Sequence, residues 1–548
     1  MNRKENPVFN RRNRRVAVGI VALVLAGAAD RTWGAESNGA IAGVVKTASG
    51  EAAIGALVRV KHGERGVSFT VVSQEQGRYH AGNLPPGEYT VQATGGGFQN
   101  DSKATVQVSG SETARMNLAL GRRQSVTEMA ATSDLAKLFP EAEIKAYIME
   151  ECTSCHIGGL EHIASSRKSQ EEWLATVEKM RNHPYGNIRS LNITDQQRDK
   201  VVDYLAKHFG PDRPPLDPDR DLPKAWFTGE SSKFMVTEYD LPRGAAPHDV
   251  AVDSKGIGWV GEDGHGVIGR FDPQTLTYTR IPIPPAVSKP TAHTITVGPQ
   301  DQVWVPDSAN NRLVQYDPKT QQFTMYPAPK PPGRGNFSAN TIAFHPDGTM
   351  WMTQEGSNTV AHLEPKTKQF TYYPVPSGVR ANKTVAPYGI AIDGNGWIWF
   401  AEHDASKIGQ VDSKTGEITE RDTPTPNSRP KRMGTDGNGN VWFGEWGSVG
   451  KLGIIDYRTS QITEYPTPTQ YSGLYSVGID RMRNHIWASE FFAAKLARFD
   501  PRTNRFTEYP LFNRITQLRK IAVDPSRPGR VWYGGYRVDT VGYLDVIE

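Results

Sequence analysis

The sequence predicts a mainly β, multidomain protein: a β-sandwich, then a small α-helical domain, then a seven-bladed β-propeller closed by an N-terminal strand. Three observations lead there. One repeat position carries tryptophan seven times between 233 and 548, at spacings of 43 to 48 residues. Short alternating or β-branched runs, separated by turn residues, fill 40 to 120. From 136 to 210 the apolar residues change to three- and four-residue spacing, the mark of amphipathic helices.

The bulk properties agree. A chain of 548 residues exceeds what one hydrophobic core supports, about 250–300 residues. Its 63 basic and 59 acidic residues nearly balance, which gives no reason to expect a nucleic-acid partner. Much of the basic excess lies in the opening "NRKENPVFNRRNRR", followed by an apolar run over 16–29 and then "DRTWGAES". That order describes a secretory signal peptide over 1–35. The run is short of the roughly 20 apolar residues a membrane span requires, so cleavage should leave no span in the mature chain. The pairs Arg11–Arg12 and Arg14–Arg15 also raise twin-arginine export.

Within 40–120 the runs "AIAGVVKT", "ALVRVKHG", "SFTVVS", "GEYTVQATG" and "KATVQVSG" read as strands, with "NLPPGEY" as a turn. The pattern "GRYHAGNLPPGEYTVQATGGGF" resembles the carboxypeptidase regulatory-like domain, which implies a transthyretin-like β-sandwich with an accessory or binding role. Residues 121–135 read as a polar linker. Three helices are expected in 136–210, from "LAKLFPEAEIKAYIMEE", "SQEEWLATVEKMRNH" and "TDQQRDKVVDYLAKHF", the last opened by a Thr194/Gln197 capping box. A Pro- and Asp-rich linker follows over 211–232.

The helical segment carries the only two cysteines, in "ECTSCH": Cys152, Cys155 and then His156. Cys-x-x-Cys-His is the attachment signature of c-type haem. The thiols add to the haem vinyl groups, and the histidine becomes the proximal ligand. A thioredoxin-like pair would need a βαβ setting. A zinc site would need a fourth ligand, and a plain disulfide leaves His156 unexplained. The segment resembles single-haem cytochrome c domains fused to periplasmic oxidoreductases. That resemblance implies covalent haem c, Sec export of an unfolded chain to the periplasm or exterior, and Met180 as distal iron ligand. A thioether ligand raises the haem potential. His183 is the alternative ligand, and His162 reads as a solvated surface residue.

From 233 the seven tryptophans at the repeat position are Trp259, Trp304, Trp351, Trp399, Trp442, Trp487 and Trp532. A period near 45 is the length of a four-stranded propeller blade. A strand like "ITEYPTP" follows blades one to six, and the missing copy, "MVTEYDLP", precedes blade one. The first strand is therefore expected to complete the last blade and remove its open edge.

Equivalent positions can be compared between repeats. Three residues past each tryptophan stand Glu262, Asp307, Gln354, Glu402, Glu445, Glu490 and Gly535. Near the first strand of each blade stand His248, His293, Asn340, Tyr388, Lys431, Tyr475 and Arg519. Innermost strands line the central channel, so both sets are expected at one mouth. Carboxylates beside imidazoles bind metals or do acid–base chemistry, while acids at strand ends also serve blade-to-blade hydrogen bonding.

The repeat "W(F/V)xE…kIGrfDpkTxxfTeYPxP" resembles the virginiamycin B (streptogramin B) lyase propellers. The resemblance implies a histidine base and carboxylates holding Mg²⁺. It maps the base to His248 in "APHDV" or His293 in "TAHTI", with Glu262 as a carboxylate partner, and makes Mg²⁺ or another divalent ion a candidate cofactor. The glutamate expected two places before such a histidine reads Ala246 or Thr291. Taken together, the expectation is a periplasmic haem protein that moves electrons. Its propeller would bind a small-molecule or carbohydrate-like substrate, and a periplasmic electron carrier would be its redox partner. A Mg²⁺-dependent lyase and a binding or sensing protein are the competing readings.

Overall fold

The structure, a computed structural model, describes residues 38–101, 104–155, 160–182, 193–333, 335–381, 384–447 and 450–547. The leader expected over 1–35, His156 and His183 lie outside the described residues. Among the described residues no helix is long and apolar enough to cross a membrane.

The chain is mainly β. An N-terminal β domain is followed by a helical unit and then by six separate four-stranded antiparallel sheets, the blades of a propeller. In the β domain the strands Gly39–Thr47, Leu57–His62, Val67–Val72 and Gly87–Gly95 bury Ile41, Val45, Val58, Val60, Tyr89 and Val91 in one core. The expected turn "NLPPGEY" is locked where the Tyr89 hydroxyl donates to the Pro85 carbonyl at 2.7 Å.

The period of the propeller has a physical cause. Each repeat tryptophan is 5% exposed or less. In four blades its indole N–H donates to an aspartate at the preceding turn: Trp259 to Asp253 (3.0 Å), Trp399 to Asp393 (2.8 Å), Trp442 to Asp436 (2.9 Å) and Trp532 to Asp524 (3.3 Å). The other carboxylate oxygen of Asp253 accepts the N–H groups of Lys255 and Ile257. One side chain thus closes the turn and satisfies the only polar atom of a buried indole.

The seventh repeat differs from the expectation. Its strands Leu518–Val523, Arg530–Gly535 and Thr540–Val546, with Phe234–Asp240, form one end of a 13-stranded sheet instead of a separate blade. Phe234–Asp240 pairs antiparallel with Thr540–Val546, Phe234 opposite Val546 and Asp240 opposite Thr540. Its other edge pairs with Val67–Val72 of the N-terminal domain, Val236 opposite Thr70. An edge strand presents a row of unpaired backbone groups, and here a neighbouring domain takes them up. Leu518–Val523 packs against the innermost strands Leu474–Asp480 and Pro247–Val252.

The helical unit holds Glu143–Cys155, Leu160–Ser165, Gln170–Arg181 and Asp195–Phe209, packed through Ile148, Met149, Leu160, Trp173, Val177, Val202 and Leu205. The Thr194 hydroxyl accepts the Gln197 N–H and the Gln197 side chain accepts the Thr194 N–H, the expected capping box. Residues 121–135 are more ordered than a bare linker. They include the helices Val126–Met129 and Thr132–Ala136, because Met129, Ala130 and Leu135 join the same apolar core. The linker at 211–232 is also pinned, with Phe227 N–H donating to Gly55 O at 3.0 Å.

Candidate functional site

Two places collect the candidate residues. The first is the helix Glu143–Cys155, which carries both cysteines on its last turn. Cys152 is half-buried and packs against the apolar core of the helical unit. A thiol at Cys152 beside an apolar shelf, with Cys155 on the same helical turn of the backbone, suits covalent attachment of a flat apolar macrocycle, so the described part of the donor set fits a haem. Met180 is half-buried on the last turn of Gln170–Arg181, and His162 is exposed. The helix is tied to the propeller mouth: Gln517 Nε2 donates to the Thr153 carbonyl at 3.4 Å while Gln517 Oε1 accepts from Arg537 Nε at 2.9 Å. Ser133 N–H donates to Phe492 O at 2.9 Å, and Lys145 stands 4.0 Å from the Tyr471 ring centroid, on the same face.

The second place is the mouth of the channel. Each of these innermost strands opens on a register shift, between Pro247 and Val250, Pro430 and Met433, and Leu518 and Ile521. A bulge lets successive side chains leave the usual alternation. The pairs His248–Asp249, Lys431–Arg432 and Arg519–Lys520 all reach the hub in this way. A left-handed residue leads into each of these three strands, Ala246 (φ 46°), Arg429 (φ 52°) and Gln517 (φ 53°).

The histidines meet there, with ring centroids 3.5 Å apart. His248 is fully enclosed, and its partners set its tautomer. Arg519 Nη1 lies 2.9 Å from Nε2, and a guanidinium can only donate, so Nε2 accepts. Nδ1–H then donates to Asp249 Oδ1 at 2.8 Å. The Tyr475 hydroxyl also approaches Nε2, at 3.3 Å. Asp249 is completely buried and accepts from Arg432 Nη2 at 3.0 Å. Arg432 Nη1 further donates to Asn340 O and the Thr341 hydroxyl. Burial, reinforced by Arg519, Arg432, Lys431 and Lys520, holds His248 well below the ordinary imidazole pKa. Burial and the neighbouring His248 do the same to His293. His293 keeps partial exposure; besides its ring contact with His248, its one hydrogen bond among the described residues joins Nδ1 to the Thr294 hydroxyl, at 3.4 Å. Its Nε2 therefore stays open to the channel.

Glu262 lies elsewhere. It is wholly buried at the end of its strand, where Tyr278 (3.0 Å), Arg280 (2.7 Å) and His265 (2.9 Å) take its oxygens. The other acids of that set behave alike. Asp307 pairs with Arg312 at 2.8 Å. Glu402, Glu445 and Glu490 each face a second glutamate, Glu420, Glu464 and Glu508. Burial, with that neighbour, pushes Glu402 up to about 8 and Glu445 up to about 9, and raises Glu490 far above the carboxylate range. The carboxylate beside the histidines is Asp249, which repeat comparison one residue earlier did not single out. Arg432 and Lys520 escaped in the same way.

Among the described residues no group of three or more His, Cys, Asp and Glu side chains is gathered to hold a metal ion. At the mouth, the cations Lys431, Arg432, Arg519 and Lys520 oppose a divalent ion such as Mg²⁺.

Residues 277–547 match the virginiamycin B lyase family, 40–121 the carboxypeptidase regulatory-like domain, and 142–222 the haem-binding domain of the quinohemoprotein amine dehydrogenase alpha subunit. His293 lies inside the first of these stretches, whereas His248 and Glu262 precede it. The propeller is similar to virginiamycin B lyase from Staphylococcus aureus, at 23% identity and a TM-score of 0.50 over 57% of this chain and 100% of that one. A streptogramin B lyase structure matches at 23% identity and a TM-score of 0.51 over 58% of this chain and 100% of its own. Among curated proteins no match was found. At this identity the likeness is one of fold, and fold does not carry chemistry with it.

Proposed function

We propose that the protein is an exported c-type haem protein that moves electrons, with the propeller as the body that binds the substrate. One observation carries this reading. The helix bearing Cys152 is fastened by Gln517 to the propeller mouth, and Arg519, two residues on in the strand that Gln517 leads into, bonds His248. Haem and substrate site would then be neighbours. Cys152 and Cys155 would hold haem c, His156 and either Met180 or His183 would be its iron ligands, and the haem would supply a one-electron acceptor.

The chain's own residues do the remaining work. Asp249 and Arg519 hold His248 in one tautomer, and His293 offers an unprotonated Nε2 to a bound substrate. Leu518–Val546 with Phe234–Asp240 serves as the seventh blade, completed by the N-terminal strand. A periplasmic carrier takes the electrons onward, and the leader at 1–35 directs export. The test is a pyridine haemochrome assay on full-length protein from a strain competent in cytochrome c maturation. Wild type should be coloured and Cys152→Ala should lose the covalent double-thioether signature. A colourless wild type sinks the haem, and a haem that no substrate reduces sinks electron transfer.

The open Nε2 of His293, inside the lyase-like stretch, favours one second reading, an eliminating lyase. Metal-dependent cleavage of a streptogramin, abolished in His293→Ala, would establish it. The cations of the mouth weigh against the metal that reaction requires. Tight ligand binding with neither activity would leave a binding or sensing protein.

A further inference from the structure

We infer that the propeller mouth is a binding site for a small aromatic carboxylate, seated between Lys431 and Arg519. This deepens the reading of the mouth as the substrate site and rests on it.

The first ground is a buried ammonium with no acceptor. Lys431 is 7% exposed. Its Nζ stands 4.0 Å from the Tyr388 ring centroid, 4.8 Å from Trp446 and 5.0 Å from Tyr475. It makes no hydrogen bond or ion pair among the described residues, although an ammonium carries three donors. Buried cations are ordinarily paired. Burial lowers the Lys431 pKa to about 7, which is what an ammonium awaiting its counter-ion should show.

The second ground is the charge around it. Arg519 stacks on Tyr536 at 4.0 Å, and its buried Nε has no partner. Lys520 and Arg519 keep partial exposure within the hub, so they face the channel. Four carboxylates lie near: Asp249 is held by His248 and Arg432, Glu355 by Asn340 Nδ2 at 3.1 Å and Asp404 by Arg429 at 3.1 Å, while Asp263 lies in the field of Arg519. With Arg429 the mouth holds five cations against these four carboxylates, a small positive excess that favours an anion.

The third ground is the wall. Trp446, Phe491 and Tyr536 border the same cations. Trp446 and Tyr536 stay partly exposed, and the buried Trp446 indole N–H has no acceptor. A flat ring suits those faces, and a carboxylate answers the Lys431 ammonium and the exposed part of the Arg519 guanidinium. A free phosphate would meet the charges and leave the aromatic faces wet. A cation is excluded by repulsion.

The test is calorimetric titration of the full-length holoprotein with benzoate, benzamide and benzylamine. Benzoate should bind at least tenfold more tightly than its neutral isostere benzamide, and benzylamine should not bind. Lys431→Met and Arg519→Gln should each weaken benzoate at least tenfold, and Lys431→Arg should retain it. Equal affinity for benzoate and benzamide, preference for the amine, or no benzoate binding overturns the inference. So does wild-type affinity in folded Lys431→Met. Because the wild-type comparison suffices, a misfolded variant does not leave the question open. Benzoate binding by a chain whose haem is never reduced would keep this site and remove electron transfer.

Discussion

Two sets of buried ionisable groups occupy one propeller, and they are satisfied in opposite ways. At the blade ends the acids meet neighbours from their own repeat: Glu262 meets Arg280, and Glu445 meets Glu464 with Lys451 beside it. At the hub the groups come from different blades. Asp249 meets Arg432 across 183 positions of sequence, and His248 meets Arg519 across 271. The blade ends repeat, and the hub does not. Repetition marks what every blade needs in order to stand, whereas departures from it mark what the assembled ring does once. Satisfaction is incomplete in both sets, at Lys431, Arg519 Nε and Asp249 Oδ2 in the hub and at Glu402, Glu445 and Glu490 at the blade ends, but of these two sets only the hub leaves cationic donors without a partner among the described residues.

The comparison breaks most easily at Asp249. Asp249→Asn strips the counter-ion from Arg432, which is 2% exposed. Removing one partner of a buried pair costs about 3–5 kcal/mol. Denaturant unfolding should show a loss of that size, and a loss below about 1 kcal/mol would deny the hub its buried ion pair.

The blade ends should respond in pH dependence. Glu445 titrates at about 9 in the folded chain, against 4.5 as its ordinary value. The folded protein therefore holds a proton that the unfolded chain has released. That stabilisation is complete below pH 4.5 and is lost as pH rises towards 9. Glu445→Gln should flatten the fall of stability over this window by up to about 1.4 kcal/mol per pH unit. Urea titrations at several pH values give the slope, and a slope equal to wild type would mean that no proton is held there.

The smallest effect should come from the tether between the helical unit and the hub. Gln517→Leu removes one hydrogen bond to Thr153 and one from Arg537, worth about 1 kcal/mol each. Hydrogen exchange over 143–155 should quicken while the blades keep their protection. Unchanged exchange in that helix would detach it from the mouth.

Much of this was legible residue by residue. The tryptophan period, the capping box at Thr194 and the pairing of Phe234–Asp240 with the last strand all follow from local chemistry that every copy repeats. Comparing repeats also located His248, His293, Tyr388, Lys431, Tyr475 and Arg519, which the fold gathers. It missed Asp249, Arg432 and Lys520 because strict alternation points each of them away from the channel, and the bulge that turns them in leaves no residue signature. Glu262 was expected beside the histidines for the complementary reason. Its position lies close along the strand, while the pull of Arg280 and Tyr278 on its side chain appears only once the fourth strand is paired.

The sequence by itself determined the modules, their order, the blade period and the Cys152–Cys155–His156 motif, since each rests on spacing within a short stretch. Only the tertiary structure decided that the closing strand continues into the N-terminal domain, that the cysteine-bearing helix sits on the propeller mouth, and which carboxylate serves the histidines. Those outcomes depend on backbone edges and charges brought together from hundreds of residues apart, where the free energy of pairing exists only after the ring has formed.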